Sequence, residues 1–163
     1  MKKTLLIIFL SAISFAASAQ AFNEGLRIGG GLSFGIPVLN LKGYSVGAGV
    51  DVLAQYALAE TVGITADFGY MTLFAKDDNL ASFDVLPLRI GIRYFPVKQL
   101  YGAAKFGTGI IIGKGSTGST AYAFGAGYVL GSRMDVSAHF EGYSRKELLS
   151  PSYLSLRLGY FFK

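Results

Sequence analysis

Cysteine and tryptophan are both absent from the 163-residue chain, and charged residues make up only 15% of it. Without cysteine the chain can form neither a disulfide framework nor a thiolate metal site. The low charge accompanies a hydrophobic fraction of 52%, which is unusual for a water-soluble domain of this length. Beyond the N-terminus, no apolar run approaches the roughly 20 residues that cross a bilayer as a helix. A composition that is apolar but lacks long apolar runs favours a membrane protein built from strands.

The N-terminal segment has the pattern of a secretory signal. Two lysines open it, an apolar stretch over 5–10 follows, and the small residues of 17–19 complete it. This order predicts a signal peptide over residues 1–19 that is cleaved after Ala19, leaving one domain over 20–163. The alternative, an N-terminal membrane anchor, fits less well because the apolar stretch is short.

Most of the remaining chain alternates between apolar and polar residues with a period of two. In PLRIGIRYF at 87–95, large apolar residues occupy the even positions, while arginine and glycine occupy most odd positions. Runs of about ten alternating residues are typical of transmembrane barrels. We therefore predict an all-β protein, a single eight-stranded antiparallel up-and-down transmembrane β-barrel. Its predicted strands fall within the segments 26–34, 44–56, 62–74, 87–95, 100–112, 122–130, 134–144 and 154–162.

Nine charged residues of these segments share the register opposite the large apolar side chains. They are Arg27, Asp51, Asp67, Arg89, Arg93, Lys105, Asp135, Glu141 and Arg157. Buried charges need partners because their desolvation is otherwise too costly. We predict a lumenal charge network of seven of them: Asp51, Asp67, Arg89, Arg93, Lys105, Glu141 and Arg157. Counting outward from the connection at 75–82 places Asp67 beside Arg89, and Arg93 four residues nearer the periplasm, level with Gly63.

The volumes of the two registers indicate which one faces lipid. An eight-stranded barrel has an interior just wide enough for side chains to fill. The apolar register is rich in phenylalanine, tyrosine, leucine and isoleucine, whereas the polar register is rich in glycine. Small residues inside leave room for a few long charged side chains. A soluble barrel would have to pack the bulky register into a narrow core, so the pattern favours the membrane arrangement.

The connections fit this topology, with both termini on the periplasmic side. The predicted outer connections are 35–43, 75–82, 113–121 and 145–153, and the predicted periplasmic turns are 57–61, 95–99 and 131–133. The outer connections are short for such a barrel, which argues against a large recognition surface. Aromatic residues near the strand ends predict two interfacial girdles. Their members are Phe34, Tyr44, Phe74, Phe83 and Tyr122 on one side and Tyr56, Tyr94, Tyr128, Tyr160 and Phe162 on the other.

In these features the chain resembles the small outer-membrane barrels of the OmpA transmembrane domain and OmpX type, including the outer-membrane β-barrel domain proteins of Bacteroidota. The ending LGYFF at 158–162 resembles the C-terminal signal read by the barrel assembly machinery, although Lys163 follows the final aromatic. The resemblance implies a monomer in the outer membrane, surrounded by lipid and lipopolysaccharide and assembled by that machinery. From the residues themselves we expect no cofactor, no metal site and no nucleic-acid partner, because the sequence has no basic cluster and no histidine pair, cysteine or carboxylate-rich loop.

The resemblance speaks to architecture more than to activity. We expect a non-enzymatic protein with a structural, adhesive or limited-permeability role and a lumen filled by charged residues. The alternative is an outer-membrane barrel that modifies lipid or binds a small ligand. Ser137 and His139 invite comparison with lipid-modifying barrels, which use serine and histidine. Both residues would point into the lumen, however, whereas acyl-chain chemistry needs a site at the lipid face or the outer rim.

Overall fold

The computed structural model describes residues 25–77, 79–112, 117–144 and 150–162. These residues form a closed barrel in which each strand pairs antiparallel with its sequence neighbours and the first pairs with the last. The predicted fold is therefore confirmed. The strands are β1 (Leu26–Leu39), β2 (Tyr44–Ala59), β3 (Val62–Ala75), β4 (Phe83–Tyr94), β5 (Leu100–Ile112), β6 (Thr117–Leu130), β7 (Met134–Ser144) and β8 (Ser152–Phe161).

The predicted signal peptide over 1–19, with cleavage after Ala19, lies outside the described residues. Within the described part of the chain, no helix is long and apolar enough to span a membrane.

The period-two pattern of the sequence becomes an alternation of buried and exposed side chains. On β4, Ile90 is 71% exposed on the outer surface, whereas Arg93 points into the lumen and is 1% exposed. The same alternation runs through β3 and β8. The large apolar register thus covers the outside of the barrel and the polar register lines the inside. This arrangement inverts that of a water-soluble domain.

Several strands extend further than the sequence predicted, and β6 begins five residues early at Thr117, within the predicted outer connection 113–121. β1 and β4 show how the extra residues are accommodated. β1 continues to Leu39 through Pro37, where its pairing with β8 shifts register. Proline lacks a backbone N–H, so an irregularity of this kind accommodates it within a strand. β4 begins at Phe83, which places Asp84 in the outward register. There the Tyr70 hydroxyl donates a hydrogen bond to the Asp84 carboxylate at 2.8 Å, so this outward carboxylate has a partner.

The prediction of the aromatic girdles was wrong for Tyr44 and Phe83. The pairing of β2 with β3 shifts register between Tyr44 and Gly47, and this bulge turns Tyr44 away from the outer register. Tyr44 and Phe83 instead meet edge to face inside the barrel, with ring centroids 6.0 Å apart. Other predicted girdle residues do lie exposed on the outer surface, among them Phe34, Phe74, Tyr56, Tyr94, Tyr160 and Phe162.

Apolar side chains fill both ends of the lumen. One cluster, the outer plug, lies towards the ends of the strands that carry the predicted outer connections. It comprises Leu41, Met71, Leu73, Phe83, Val85, Ala121, Tyr143 and Tyr153. The other, at the opposite end of the lumen, comprises Phe95, Tyr101, Ala103 and Val129. The charged side chains of the inward register therefore lie between two apolar layers.

Candidate functional site in the charged lumen

The first group of lumenal charges is centred on Arg89 of β4 and is called the Arg89 cluster. Strand pairing places Asp67 directly beside Arg89, as predicted. Arg89 Nε donates to Asp67 Oδ2 at 2.9 Å, and Arg89 Nη1 donates to Glu141 Oε2. Lys105 Nζ lies 3.0 Å from Asp67 Oδ1. The cluster thus contains two cations and two carboxylates, all buried.

Tyrosine hydroxyls connect the Arg89 cluster to the outer plug. Tyr153 donates a hydrogen bond of 3.1 Å to Glu141 Oε2, and its hydroxyl also lies 3.1 Å from that of Tyr143. The two rings stack with centroids 6.0 Å apart. Each tyrosine places its ring in the outer plug and its hydroxyl towards the Arg89 cluster. Both hydroxyls therefore have hydrogen-bond partners where the apolar plug meets the charges.

The second group, the Arg157 cluster, is built around two arginines that share one carboxylate. Arg157 Nε and Nη2 bind Asp51 at 2.8 and 2.7 Å, and Arg157 Nη1 donates to Asp135 Oδ1 at 2.9 Å. Arg93 Nη2 reaches the other oxygen of Asp135 at 3.2 Å. Tyr101 also donates its hydroxyl to Asp135, and its ring lies under the Arg93 guanidinium at 4.3 Å. This cluster likewise balances two cations against two carboxylates.

The structure therefore places all seven predicted network residues in the lumen but divides them between two clusters. Arg93 is level with Gly63, as predicted, and belongs to the Arg157 cluster. No ion pair among the described residues joins the two clusters. The predicted network of seven residues omits Asp135, which lies close to a strand end. Its inward register was the signal that could have included it, and it is fully buried.

Glycines of the inward register make room for the long side chains. A Cβ atom at Gly31 would lie 2.6 Å from the guanidinium carbon of Arg157. A Cβ atom at Gly127 would collide with the ring of Tyr101. Glycine within a strand often marks a place where another group approaches the backbone closely. The glycines of the inward register thus provide the space that the side chains of the charge clusters occupy.

A cavity between the two charge clusters is small. Its volume is about 20 Å³, and its lining residues include Asp51, Arg89, Glu141 and Tyr153. This volume is about what one water molecule requires. Within the described part of the chain, no group of three or more histidine, aspartate or glutamate side chains could hold a metal ion.

His139 and its neighbours form a third polar feature of the lumen. Ser137 and His139 point inward on β7, and Ser155 faces His139 across the pairing with β8. All three are buried, and Ser137 Oγ, His139 Nε2 and Ser155 Oγ have no hydrogen-bond partner among the described residues. An activated serine needs a hydrogen bond to its base. The neighbouring serine and histidine therefore lack the geometry of a nucleophile and its base.

Solved structures share this barrel at low sequence identity. Ail, the attachment invasion locus protein of Yersinia pestis, matches with a TM-score of 0.62 at 18% identity, covering 86% of this chain and 100% of that one. The N-terminal β-barrel domain of OprF from Pseudomonas aeruginosa matches with a TM-score of 0.61 at 14% identity, covering 85% and 100%. A de novo designed transmembrane β-barrel matches with a TM-score of 0.51 at 16% identity, covering 86% and 98%. At these identities the likeness establishes the fold alone.

No curated protein matches the sequence. A family model described as the outer membrane protein beta-barrel domain matches residues 5–162, nearly the whole chain. This match agrees with the closed antiparallel sheet and its outward apolar register. The chain therefore belongs to the family of outer membrane protein beta-barrel domains, and its place is the outer membrane.

Proposed function

We propose that this protein is a non-enzymatic, closed structural component of the outer membrane and that its lumen does not conduct solutes. The observation that carries the proposal is the filled lumen. Four cations and four carboxylates pair within it, apolar plugs close both ends, and a cavity between the charges measures only about 20 Å³. Eight strands leave little interior volume once side chains fill it.

The short outer connections support a structural role over an adhesive one. The first described connection covers only residues 40–43, and the second covers 76–82. Leu41 of the first connection is buried in the outer plug, so part of this loop serves the barrel interior. These two connections therefore leave little polypeptide to display to a partner outside the cell.

A lipid-modifying role has less support. The side chains of Ser137 and His139 are buried in the lumen, separated from the lipid face by the barrel wall. An acyl chain in the membrane would contact the opposite register of the same strand, such as Ala138 and Phe140. The hydrolytic chemistry that serine and histidine support would therefore have no route to its substrate.

Measurement of solute flux tests the closed lumen. The purified barrel is inserted into liposomes, and the efflux of a small entrapped ion is compared with that from protein-free liposomes and from liposomes containing a known porin. The closed lumen predicts efflux at the protein-free rate. Efflux that rises in proportion to the amount of inserted protein would instead support a limited-permeability role.

We further propose that residues 1–19 act as a signal peptide cleaved after Ala19, that the barrel assembly machinery inserts the chain, and that the protein is a monomer. N-terminal sequencing of protein from isolated outer membranes should give Gln20 as the first residue. An uncleaved N-terminus in that fraction would indicate an anchor in place of a signal peptide.

A further inference from the structure

A short strap, residues 40–43, joins β1 to β2 at the outer mouth of the barrel. Of its four residues, all of them described, only Leu41 is buried. Leu41 packs into the outer plug at 4% exposure, whereas the other described members of that cluster belong to strands. The hydrogen bonds of the sheet hold those members in place. Leu41 is therefore the part of the plug that can leave it without opening the barrel wall.

Hydrogen bonds at both ends tether the strap to its neighbours. Asn40 Nδ2 donates to the carbonyl oxygen of Ser150 at 3.0 Å, beside the start of β8. At the other end, the backbone N–H of Lys76 donates to the carbonyl oxygen of Gly43 at 2.9 Å. The bond from Asn40 is exposed to solvent, where a hydrogen bond to water competes with it. The strap is thus held more weakly at Asn40 than the strands are held in the sheet.

The strap adjoins interruptions of the sheet on both sides. The pairing of β1 with β8 shifts register between Pro37 and Leu39. The pairing of β2 with β3 shifts register between Tyr44 and Gly47. Asn40 itself has a φ of 58°, a left-handed conformation that asparagine adopts more readily than most residues. Hinges are a few loop or strand-end residues of this kind, so the strap can move while the sheet stays intact.

A groove beside the strap offers Leu41 a second apolar position. Its volume is about 480 Å³, and its lining includes Leu41 and Tyr44 as well as Ile36, Val38 and Val46. The last three belong to the lipid-facing register and are 58%, 48% and 61% exposed. Leu41 thus lies at the boundary between the outer plug and the groove. A movement into the groove exchanges one apolar environment for another, as a two-state element requires.

The residues beneath Leu41 show what such a movement would change. Leu41 shares the outer plug with Tyr153, whose hydroxyl donates to Glu141 of the Arg89 cluster. We propose that the strap is a hinged lid that moves Leu41 between the outer plug and the groove and so controls the access of water to the outer half of the lumen. The apolar cluster of Phe95 and Tyr101 at the opposite end stays in place. The inference therefore goes beyond the proposed closed barrel and needs no conduction of solutes.

A single engineered thiol can report the access of water, because the chain contains no cysteine. Val85→Cys places the thiol in the outer plug and Val129→Cys places it in the opposite cluster, where the two valines are 0% and 2% exposed. Each variant is reacted with a small, membrane-impermeant methanethiosulfonate in bilayer nanodiscs, which leave both mouths of the barrel accessible. The rate of labelling then measures how often water reaches each position.

Weakening the tether should open the lid. Asn40→Gly removes the amide bound to Ser150, and glycine adopts the left-handed conformation without cost. It should raise the labelling rate of V85C about 3- to 10-fold, since one neutral hydrogen bond shifts an equilibrium by about that factor. The labelling rate of V129C should change by less than about twofold. The matched control is Asn79→Gly, which removes an exposed amide from the second connection and should leave both rates unchanged.

Filling the groove should keep the lid closed. Val46→Phe occupies the space that Leu41 would enter and should slow the labelling of V85C at least about threefold, because overpacking disfavours the second position. Val52→Phe adds the same bulk to the outward face of β2 away from the groove, and it should leave the rate unchanged.

Unchanged labelling of V85C in Asn40→Gly or in Val46→Phe would overturn the proposal. Equal acceleration of V85C and V129C in Asn40→Gly would also overturn it, because the whole lumen would then open together. Ion efflux from liposomes, measured in parallel on the parent, separates this inference from the closed barrel. Unchanged labelling with efflux at the protein-free rate refutes the lid alone. Efflux that rises with the amount of parent protein refutes the closed lumen, whatever the labelling shows.

Discussion

Replacement of Arg89 by methionine removes the one cation that Glu141 contacts in an ion pair among the described residues. Asp67 also loses Arg89, but it keeps Lys105 at 3.0 Å. The unpaired buried charge in Arg89→Met is therefore Glu141. Removal of one partner of a buried ion pair typically costs about 3–5 kcal/mol, because the other charge stays buried without compensation. We expect the free energy of unfolding of Arg89→Met to fall by that amount.

A second substitution in the Arg89 cluster distinguishes the two carboxylates. Glu141→Gln removes the unpaired charge and keeps an oxygen that can accept the 3.1 Å hydrogen bond from Tyr153. Added to Arg89→Met, it should recover about 1–3 kcal/mol, within the range of coupling between contacting residues. Asp67→Asn added to Arg89→Met should recover less, because it deprives Lys105 of its carboxylate while Glu141 stays unpaired.

Equilibrium urea unfolding in lipid vesicles measures these free energies. Since the chain contains no tryptophan, far-ultraviolet circular dichroism and the gel mobility shift of the folded barrel supply the signal. Lys98→Met, which replaces an exposed cation at a turn, is the control and should change stability by less than about 0.5 kcal/mol. If Asp67→Asn restores as much stability to Arg89→Met as Glu141→Gln does, the pairing within the cluster has been assigned incorrectly.

Two further predictions concern the two faces of the barrel wall. Ile90→Arg places a cation on the lipid face and should lower stability in bilayers by about 2–4 kcal/mol, and unchanged unfolding in vesicles would show that this position does not face lipid. Gly107→Ala should cost about 1–3 kcal/mol because the new Cβ would collide with the backbone of Leu88 and Arg89. On the same strand Gly102→Ala should cost less than about 0.5 kcal/mol, since no other atom lies within 4 Å of its Cβ position, and equal costs at the two glycines would contradict the assigned faces.

The number of strands and the direction of their side chains could be predicted because both follow from local alternation. Successive side chains of a strand point to opposite faces of the sheet, so residues that alternate in the sequence are separated onto two faces. Because one face of this sheet must be apolar, the register of each strand is fixed. The pairing of Asp67 with Arg89 could also be predicted, because the connection between their strands is short. Counting along a hairpin needs no knowledge of the rest of the molecule.

The strand ends and the direction of Tyr44 could not be predicted in the same way. The sequence predicts that Pro37 belongs to the outer connection 35–43, yet it lies within β1 at an irregularity. As an aromatic residue near a strand end, Tyr44 is predicted to belong to a girdle, but a bulge interrupts the alternation of β2. One extra residue in a strand reverses the facing of every side chain beyond it. The sequence carries no local mark of such an insertion.

The division of the charges into two clusters depends on contacts across the lumen. Arg157 and Asp51 are 106 residues apart in the chain and meet only because β8 closes on β1. Asp135 is near a strand end, but the long side chains of Arg93 and Arg157 reach it. The position of a residue in its strand gives the height of its Cα atom along the barrel axis. The length and direction of an arginine side chain then decide which carboxylate its guanidinium binds.

The central claim, that lipid covers the apolar register while the lumen is packed and closed, can be tested without altering the sequence. The protein is labelled at isoleucine, leucine and valine methyl groups, incorporated into bilayer nanodiscs and studied by NMR with a nitroxide placed on the lipid acyl chains. Ile90 and Leu156 are 71% and 54% exposed, whereas Leu53 and Val85 are fully buried in the lumen. The nitroxide should broaden the methyl signals of Ile90 and Leu156 strongly and leave those of Leu53 and Val85 sharp. Equal broadening of all four signals, or the reverse order, would contradict the account.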